Sequence, residues 1–221
     1  MVEIIKSNLL EKTNIQHGFS KKLKDYKDLS LNIPVFLLNQ KHTDNIIFLN
    51  DYNMLTQKIT GDSIITNLKN VAIAIKTADC LPILIADKNK NFVSCVHSGW
   101  RGTAKNIAGK SVMEIKKNFS VSDENIVVAI GPSICKNCYI VRNDVIDEIR
   151  KIIDFKFYHE IDNEHFKIDL KEINVHLLIK EGIKPENIDI INDCTYCKND
   201  EYQSFRYHKN TNFYQLSFIY L

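Results

Sequence analysis

Residues 71–97 read VAIAIKTADCLPILIADKNKNFVSCVH. Three apolar runs rich in Val, Ile, Leu and Phe, at 71–76, 81–86 and 92–97, are bounded by polar residues and are short for helices, which predicts three strands. The polar stretch Asp87-Lys88-Asn89-Lys90-Asn91 predicts that 81–86 returns antiparallel as 92–97. Hairpin geometry then brings Cys80 and His97 together at its open end, although 16 residues separate them in the chain. Pro82 has no amide for a strand ladder and belongs at a strand start or an edge, so a bend is expected at Cys80 and Leu81.

Working outward, Asn45–Leu49, Asp62–Thr66 and Ile126–Ile130 carry the same strand signal. Helices are expected over 103–119, 143–153 and 169–180. In the third, Leu170, Ile173, Leu177 and Leu178 cover one face and Gly182 is placed to end it. Without a long linker, repeat or low-complexity block, residues 1–221 are expected to form a single α/β domain, a layered sandwich with a mixed β-sheet and covering helices.

With 44% hydrophobic and 25% charged residues, the 221-residue chain has the composition of a globular domain able to bury a large core. A formal charge of +2 supplies no strong field for nucleic acid or anionic lipid, so neither is expected as a partner. Met1–Leu10 lacks the pattern of a secretory signal, and no apolar run approaches the roughly 20 residues that span a bilayer. A cytoplasmic location is therefore expected, with the six cysteines as reduced thiols or metal ligands. No dinucleotide-binding or Walker loop is present.

Polar chemistry concentrates in Gln40-Lys41-His42-Thr43, in Lys76-Thr77-Ala78-Asp79-Cys80 and in His97-Ser98-Gly99-Trp100-Arg101-Gly102. Two imidazoles and a thiolate suit tetrahedral zinc and leave a fourth position open, which makes His42, Cys80 and His97 a candidate ligand set. Their spacing makes no local motif, and ordinary hydrogen-bonding roles or a metal-free site stand beside that reading. Asp79 is a candidate proton shuttle, with backbone hydrogen bonding at a strand end as the alternative. The planar fork of Arg101 suits phosphate or a heterocycle, with a fold-maintaining salt bridge as the alternative. Trp100 is read as packing, with stacking on a base as the alternative, and Thr103 as a helix cap, with anion binding by the amides of the helix start as the alternative. Gly131, in Gly131-Pro132-Ser133, either shapes a pocket or turns the chain. His17 is read as a substrate contact or as a buried, hydrogen-bonded residue.

Cys135-Lys136-Asn137-Cys138 and Cys194-Thr195-Tyr196-Cys197 form two CxxC pairs. Four sulfurs suit a zinc knot or an iron–sulfur centre. The wide gap between the pairs favours redox dithiols or buried apolar contacts instead. The principal metal is therefore expected at the trio.

The segments Thr77-Ala78-Asp79-Cys80-Leu81-Pro82, His97-Ser98-Gly99-Trp100-Arg101-Gly102 and Gly131-Pro132-Ser133-Ile134 closely resemble, in order, motifs of the YfiH family, also called the laccase-domain or multicopper polyphenol oxidoreductase family. His17-Gly18-Phe19-Ser20, Gln40-Lys41-His42, Cys194-Thr195 and Ser204-Phe205-Arg206 resemble its opening and closing segments. The resemblance implies a single α/β domain binding one catalytic Zn²⁺ at His42, Cys80 and His97, with copper as the less favoured ion. It implies phosphorolysis of adenosine, inosine and methylthioadenosine by inorganic phosphate, and deamination of adenosine. His17, Arg101, Gly131 and Arg206 are then the substrate-binding candidates, and Asp79 and Arg101 join the ligands as catalytic candidates. Alternatives are a polyphenol oxidase (laccase), a peptidoglycan-editing enzyme and a non-enzymatic zinc-binding scaffold. The oxidase reading fits poorly with a single His2Cys set.

Overall fold

In the computed structural model, which describes residues 2–221, the chain runs through β1 (Ile4–Ile5), α1 (Asn8–Lys12), β2 (Gln16–Ser20), β3 (Val35–Leu37), β4 (Ile46–Leu49), β5 (Ser63–Thr66), β6 (Ala72–Thr77), β7 (Leu81–Asp87), β8 (Val93–Ser98), α2 (Trp100–Ala104) and α3 (Ile107–Asn118). It continues through β9 (Ile126–Ile130), β10 (Ile140–Val141), α4 (Asn143–Arg150), β11 (Tyr158–Glu160), β12 (Phe166–Ile168), α5 (Leu170–Lys180), β13 (Ile188–Ile190), α6 (Phe205–His208) and β14 (Gln215–Tyr220). Met1, the first residue of the stretch read for a secretory signal, lies outside the described residues. Among those residues no helix is long and apolar enough to cross a membrane.

β7 and β8 pair antiparallel in the expected hairpin, with Leu81 opposite Ser98 and Pro82 opposite His97. Pro82 is the second residue of an interior strand, so its missing amide falls at the strand start. The hairpin is the middle of a six-stranded mixed sheet ordered β13-β9-β7-β8-β5-β4. β6 departs from that pattern. It joins a second sheet, ordered β1-β2-β14-β6-β3, so the chain changes sheets across Ala78, Asp79 and Cys80.

The two sheets pack face to face, because alternate residues of each strand supply an apolar inner face. Phe19, Phe36, Ile73, Ile75 and Ile219 of the five-stranded sheet meet Ile64, Leu84, Val93, Cys95 and Val127 of the six-stranded one. Cys95 is accounted for there: it is buried and its thiol donates to the Ile73 carbonyl across the layers at 3.3 Å. The opposite face of the larger sheet, including Leu81, Ile83, Ile85 and Val128, is covered by Ile107, Val112 and Ile115 of α3 and by Leu178 of α5. A small antiparallel sheet, β10-β12-β11, packs with α4 and α5 in a separate cluster around Ile149, Ile168 and Ile173. The layered α/β sandwich is as expected, but it contains two stacked sheets and a third small one.

The helix expected over 103–119 is two helices. α2 begins earlier, at Trp100, and the chain then breaks at Asn106, whose φ of 57° lies in the left-handed region and whose side chain caps α3 by accepting from the Gly109 amide at 3.1 Å. This break turns α3 back over the sheet while α2 stays beside the end of β8.

Candidate active site and metal centre

The sheet change and the hairpin together build the trio. His42 lies in the loop before β4, Cys80 in the crossover between β6 and β7, and His97 near the end of β8. One ligand atom from each lies within 4.8 Å of the other two. His42 Nε2 is 3.8 Å from Cys80 Sγ, and the two imidazole rings meet edge to face with centroids 4.9 Å apart. His97 is 4% exposed, Cys80 half-buried and His42 exposed, so the cluster opens toward solvent on the His42 side.

Gly99 is what allows the approach. A Cβ on it would lie 2.9 Å from Cys80 Sγ and 3.1 Å from His42 Cδ2. The backbone thus leaves a recess that a side chain would fill, and the soft sulfur with two imidazoles fits a tetrahedral divalent ion with one position left over.

Asp62 organises the site from beneath. Its Oδ1 lies 2.8 Å from His97 Nδ1 and accepts from the His42 amide at 3.1 Å, while Oδ2 accepts from the Thr43 amide and hydroxyl, both at 2.7 Å. The His97 amide also donates to the Asp62 carbonyl at 2.8 Å. One buried carboxylate therefore fixes the His42 loop and orients the His97 ring, leaving its Nε2 for the metal side. Burial pushes the Asp62 carboxyl up, but the bonds from His97 and Thr43 outweigh it and hold the group well below the usual carboxylate range. Burial likewise pushes the Cys80 thiol up, yet the positive His97 and bonds from both histidines bring it down to about 6. Burial lowers His97, and the Cys80 thiolate with Asp62 reverses this, raising it to about 9. Cys80 and His97 thus each favour the other's charged form in the absence of metal.

Asp79 is backbone-strained, with φ 84° in a non-glycine residue, and is held there by its own side chain. Oδ1 accepts from the Thr195 hydroxyl at 2.6 Å, and Oδ2 accepts from the Ser204 hydroxyl at 3.0 Å and the Arg206 amide at 2.7 Å. These bonds favour the strand-end alternative over the proton shuttle, since both oxygens already have donors. Arg101 is exposed and its guanidinium lies 4.3 Å from the Trp100 ring centroid. Among the described residues no carboxylate lies within ion-pair distance of it, so the salt-bridge alternative finds no partner. Arg206 donates from Nη1 to the Ile140 carbonyl at 2.7 Å and sits 5.3 Å from the Tyr139 ring. Burial is the main cause raising the Tyr139 phenol, which stays protonated.

Two candidates fall outside this group. His17 is buried, with Nδ1 bonded to the Ile15 carbonyl at 2.8 Å and Nε2 accepting from the Ser7 amide at 2.9 Å, so neither ring nitrogen is free for a substrate. Gly131 is a packing requirement: a Cβ there would lie 2.3 Å from the Phe19 ring and 2.9 Å from Pro82. Sequence reading assigns no role to Asp62, Thr43, Tyr139, Thr195 or Ser204, although Thr43, Thr195 and Ser204 fall in segments it singles out, because the bonds that give them one join residues distant in the chain. The expected separation of the two CxxC pairs is also corrected, since all four of their sulfurs lie within 4.8 Å of one another.

Comparison with known proteins shows the family to which the chain belongs. A purine nucleoside phosphorylase of Clostridium acetobutylicum is 33% identical over 190 residues, covering 85% of this chain and 75% of that protein. One from Aquifex aeolicus is 31% identical over 196 residues, covering 89% and 87%. A protein of an unknown prokaryotic organism named adenosine deaminase RL5 is 32% identical over 149 residues, covering 66% and 56%. The crystal structure of the Bacillus licheniformis hypothetical protein YfiH superposes with a TM-score of 0.87 at 25% identity, covering 96% of this chain and 94% of that one. The family model described as multi-copper polyphenol oxidoreductase laccase matches residues 20–221, and the chain belongs to that family, the YfiH-like proteins whose curated relatives include purine nucleoside phosphorylases.

Proposed function

We propose that this protein is a zinc-dependent purine nucleoside phosphorylase that uses inorganic phosphate to cleave adenosine, inosine and methylthioadenosine. One observation carries the reading: a His2Cys set of three converging donors, aligned by Asp62, in a chain whose relatives are named for that activity. The donor set fits zinc better than a multi-copper chain of redox sites. Among the described residues the groupings able to hold a metal are the trio and a four-cysteine cluster, and neither offers the histidine-rich clusters that several coppers would need.

His42, Cys80 and His97 would hold the ion, which when bound supplies Lewis-acid polarisation at its remaining position. In phosphorolysis a phosphate oxygen bonds to the anomeric carbon as the purine nitrogen departs with the bonding electrons and takes up a proton. Arg101, exposed and without a carboxylate partner, is the residue suited to bind the phosphate. Arg206 and the protonated Tyr139 offer further donors beside it. Asp62 maintains the His97 tautomer, and Asp79 positions Cys80 through the crossover it anchors.

The likeness to a protein named adenosine deaminase supports a second reaction at the same site, in which the oxygen of water bonds to the purine carbon and the amino group leaves as ammonia. The test is direct. Zinc-loaded protein should release adenine from adenosine and hypoxanthine from inosine only when phosphate is present, and Cys80→Ala should abolish the release. Equal rates with and without Cys80 would overturn metal-centred chemistry. Ammonia and inosine formed from adenosine without phosphate would assign deamination as the principal reaction.

A further inference from the structure

β9 and β13 are parallel neighbours, with Ile130 opposite Ile190, so the chain leaves both strands in the same direction. The pairing continues beyond the strand ends. Ile191 donates to the Ile130 carbonyl at 2.9 Å, Ser133 to Asp193 at 3.3 Å and Thr195 to Ser133 at 3.2 Å, and Ser133 bridges Cys194 in parallel. Each segment then turns through its CxxC sequence, closed by the Cys138 amide on the Cys135 carbonyl and the Lys198 amide on the Cys194 carbonyl, both at 3.0 Å. Two pairs far apart in sequence are thereby set against each other.

The four sulfurs lie within 4.8 Å of one another, and Cys138 Sγ is 3.4 Å from Cys197 Sγ. Around a tetrahedral ion with Zn–S bonds of about 2.3 Å, sulfurs stand roughly 3.8 Å apart, close to this arrangement. A disulfide needs about 2.05 Å, well below the closest separation seen. The sulfurs are too close together to enclose a multi-iron cluster. The Cys135 amide points at Cys194 Sγ from 3.3 Å, a donor directed at a sulfur that carries charge once it is a metal ligand.

We propose that Cys135, Cys138, Cys194 and Cys197 bind one Zn²⁺ as a closed four-thiolate structural site, separate from the His42, Cys80 and His97 centre. On binding, each thiol releases its proton to solvent, so Zn²⁺ and four thiols give a complex of net charge −2 and four protons. Lys136, in one of the two turns, and Lys171, whose Nζ donates to the Ile191 carbonyl at 2.8 Å, place positive charge around it, while Lys198 is taken up by a 2.6 Å ion pair with Asp193. With four sulfurs the ion has no position for substrate, which makes the site a clasp. It clamps the loop carrying Tyr139 to the loop carrying Thr195, whose hydroxyl bonds Asp79 next to Cys80. The clasp thus fixes one wall of the active site without taking part in its chemistry.

Full-length protein purified anaerobically should carry two zinc ions per chain by elemental analysis and native mass spectrometry. Cys138→Ser with Cys197→Ser should lower this to one, and His42→Ala with Cys80→Ser should also leave one. Reconstituting the latter variant with Co²⁺ should give the intense visible bands of tetrahedral cobalt and a thiolate charge-transfer band. If the Cys138/Cys197 variant does not fold, mercurial titration of the wild-type chain should still release two zinc ions in separate steps. A wild-type zinc content left unchanged by Cys138→Ser with Cys197→Ser, rapid maleimide labelling of these four cysteines in zinc-loaded protein, or disulfide masses after anaerobic purification would each overturn the clasp. None of these readouts depends on nucleoside turnover, so the clasp and the proposed activity stand or fall separately.

Discussion

Asp62 Oδ1 lies 2.8 Å from His97 Nδ1 and 3.1 Å from the amide of His42, so one carboxylate oxygen serves two residues of the trio at once. Asp62→Asn keeps the shape but removes the charge and the certainty of which ring nitrogen carries the proton. Zinc affinity, read by competition with a chromophoric chelator, is expected to fall roughly 10- to 100-fold, the usual effect of removing such a partner. Unchanged affinity would refute the orienting role.

The same carboxylate predicts a pH dependence for metal-free protein. Its folded pKa is depressed below the unfolded value of about 4, so its contribution to stability is complete above that pH and is lost as the pH falls toward the folded value. The stability difference between wild type and Asp62→Asn, measured by urea unfolding, should therefore be largest near pH 5 to 6, shrink below pH 4 as Asp62 takes up its proton, and shrink again as the pH rises toward about 9, where His97, whose raised pKa Asp62 supports, loses its own. A difference that grows as the pH falls below 4 would contradict the assigned direction.

Gly99→Ala tests the recess. The new methyl would fall 2.9 Å from Cys80 Sγ and 3.1 Å from His42 Cδ2, so one of these ligands must move. Zinc binding is expected to weaken at least tenfold, while the chelated variant should melt within a few degrees of chelated wild type, as expected for a change of about 1 kcal/mol or less. Wild-type zinc affinity would show that the recess has no part in metal binding.

Arg101 is exposed and lacks an ion-pair partner among the described residues, so Arg101→Gln should alter stability by no more than about 0.5 kcal/mol, as for most surface changes. Its effect should appear in phosphate dependence, with KM for phosphate rising about tenfold or more. Arg101→Lys should recover only part of the loss because an ammonium cannot reproduce the bidentate fork. A phosphate KM left unchanged by both would remove Arg101 from the anion site.

Asp79 distinguishes anchoring from proton transfer. Asp79→Asn weakens bonds from Thr195, Ser204 and Arg206 and should cost about 1–3 kcal/mol in unfolding free energy. The pH–rate profile should keep its shape at a lower plateau. Loss of one limb of that profile with stability unchanged would instead make Asp79 the proton shuttle.

Much of this protein is legible in its sequence, for local reasons. The runs at 71–76, 81–86 and 92–97 specify strands by composition, and a five-residue polar turn leaves the second and third little choice but to pair. Cys80 and His97 meet as a direct result. The C-terminal glycine of α5 is equally local, since Gly182 adopts φ 91° where a side chain would be strained. By contrast, β2 and β3 were not anticipated: their pairing partners, β14 and β6, lie far away in the chain.

Tertiary structure alone decided what surrounds the ligands. Residue types nominated His42, but its place beside Cys80 depends on Asp62 gathering a loop 20 residues away, and nothing in the local sequence of either marks that bond. Asp79 reads as a free acid in the sequence and becomes an anchor only because residues more than 100 positions later fold back as donors. The cysteine pairs carry the same lesson. Spacing defines each pair, but Cys138 and Cys197 are 59 positions apart, and only parallel pairing of β9 with β13 brings four sulfurs into one cluster. Sequence fixes donor chemistry through residue type and neighbouring spacing, whereas the meeting of distant donors is set by strand order and sheet packing, which short-range pattern does not encode.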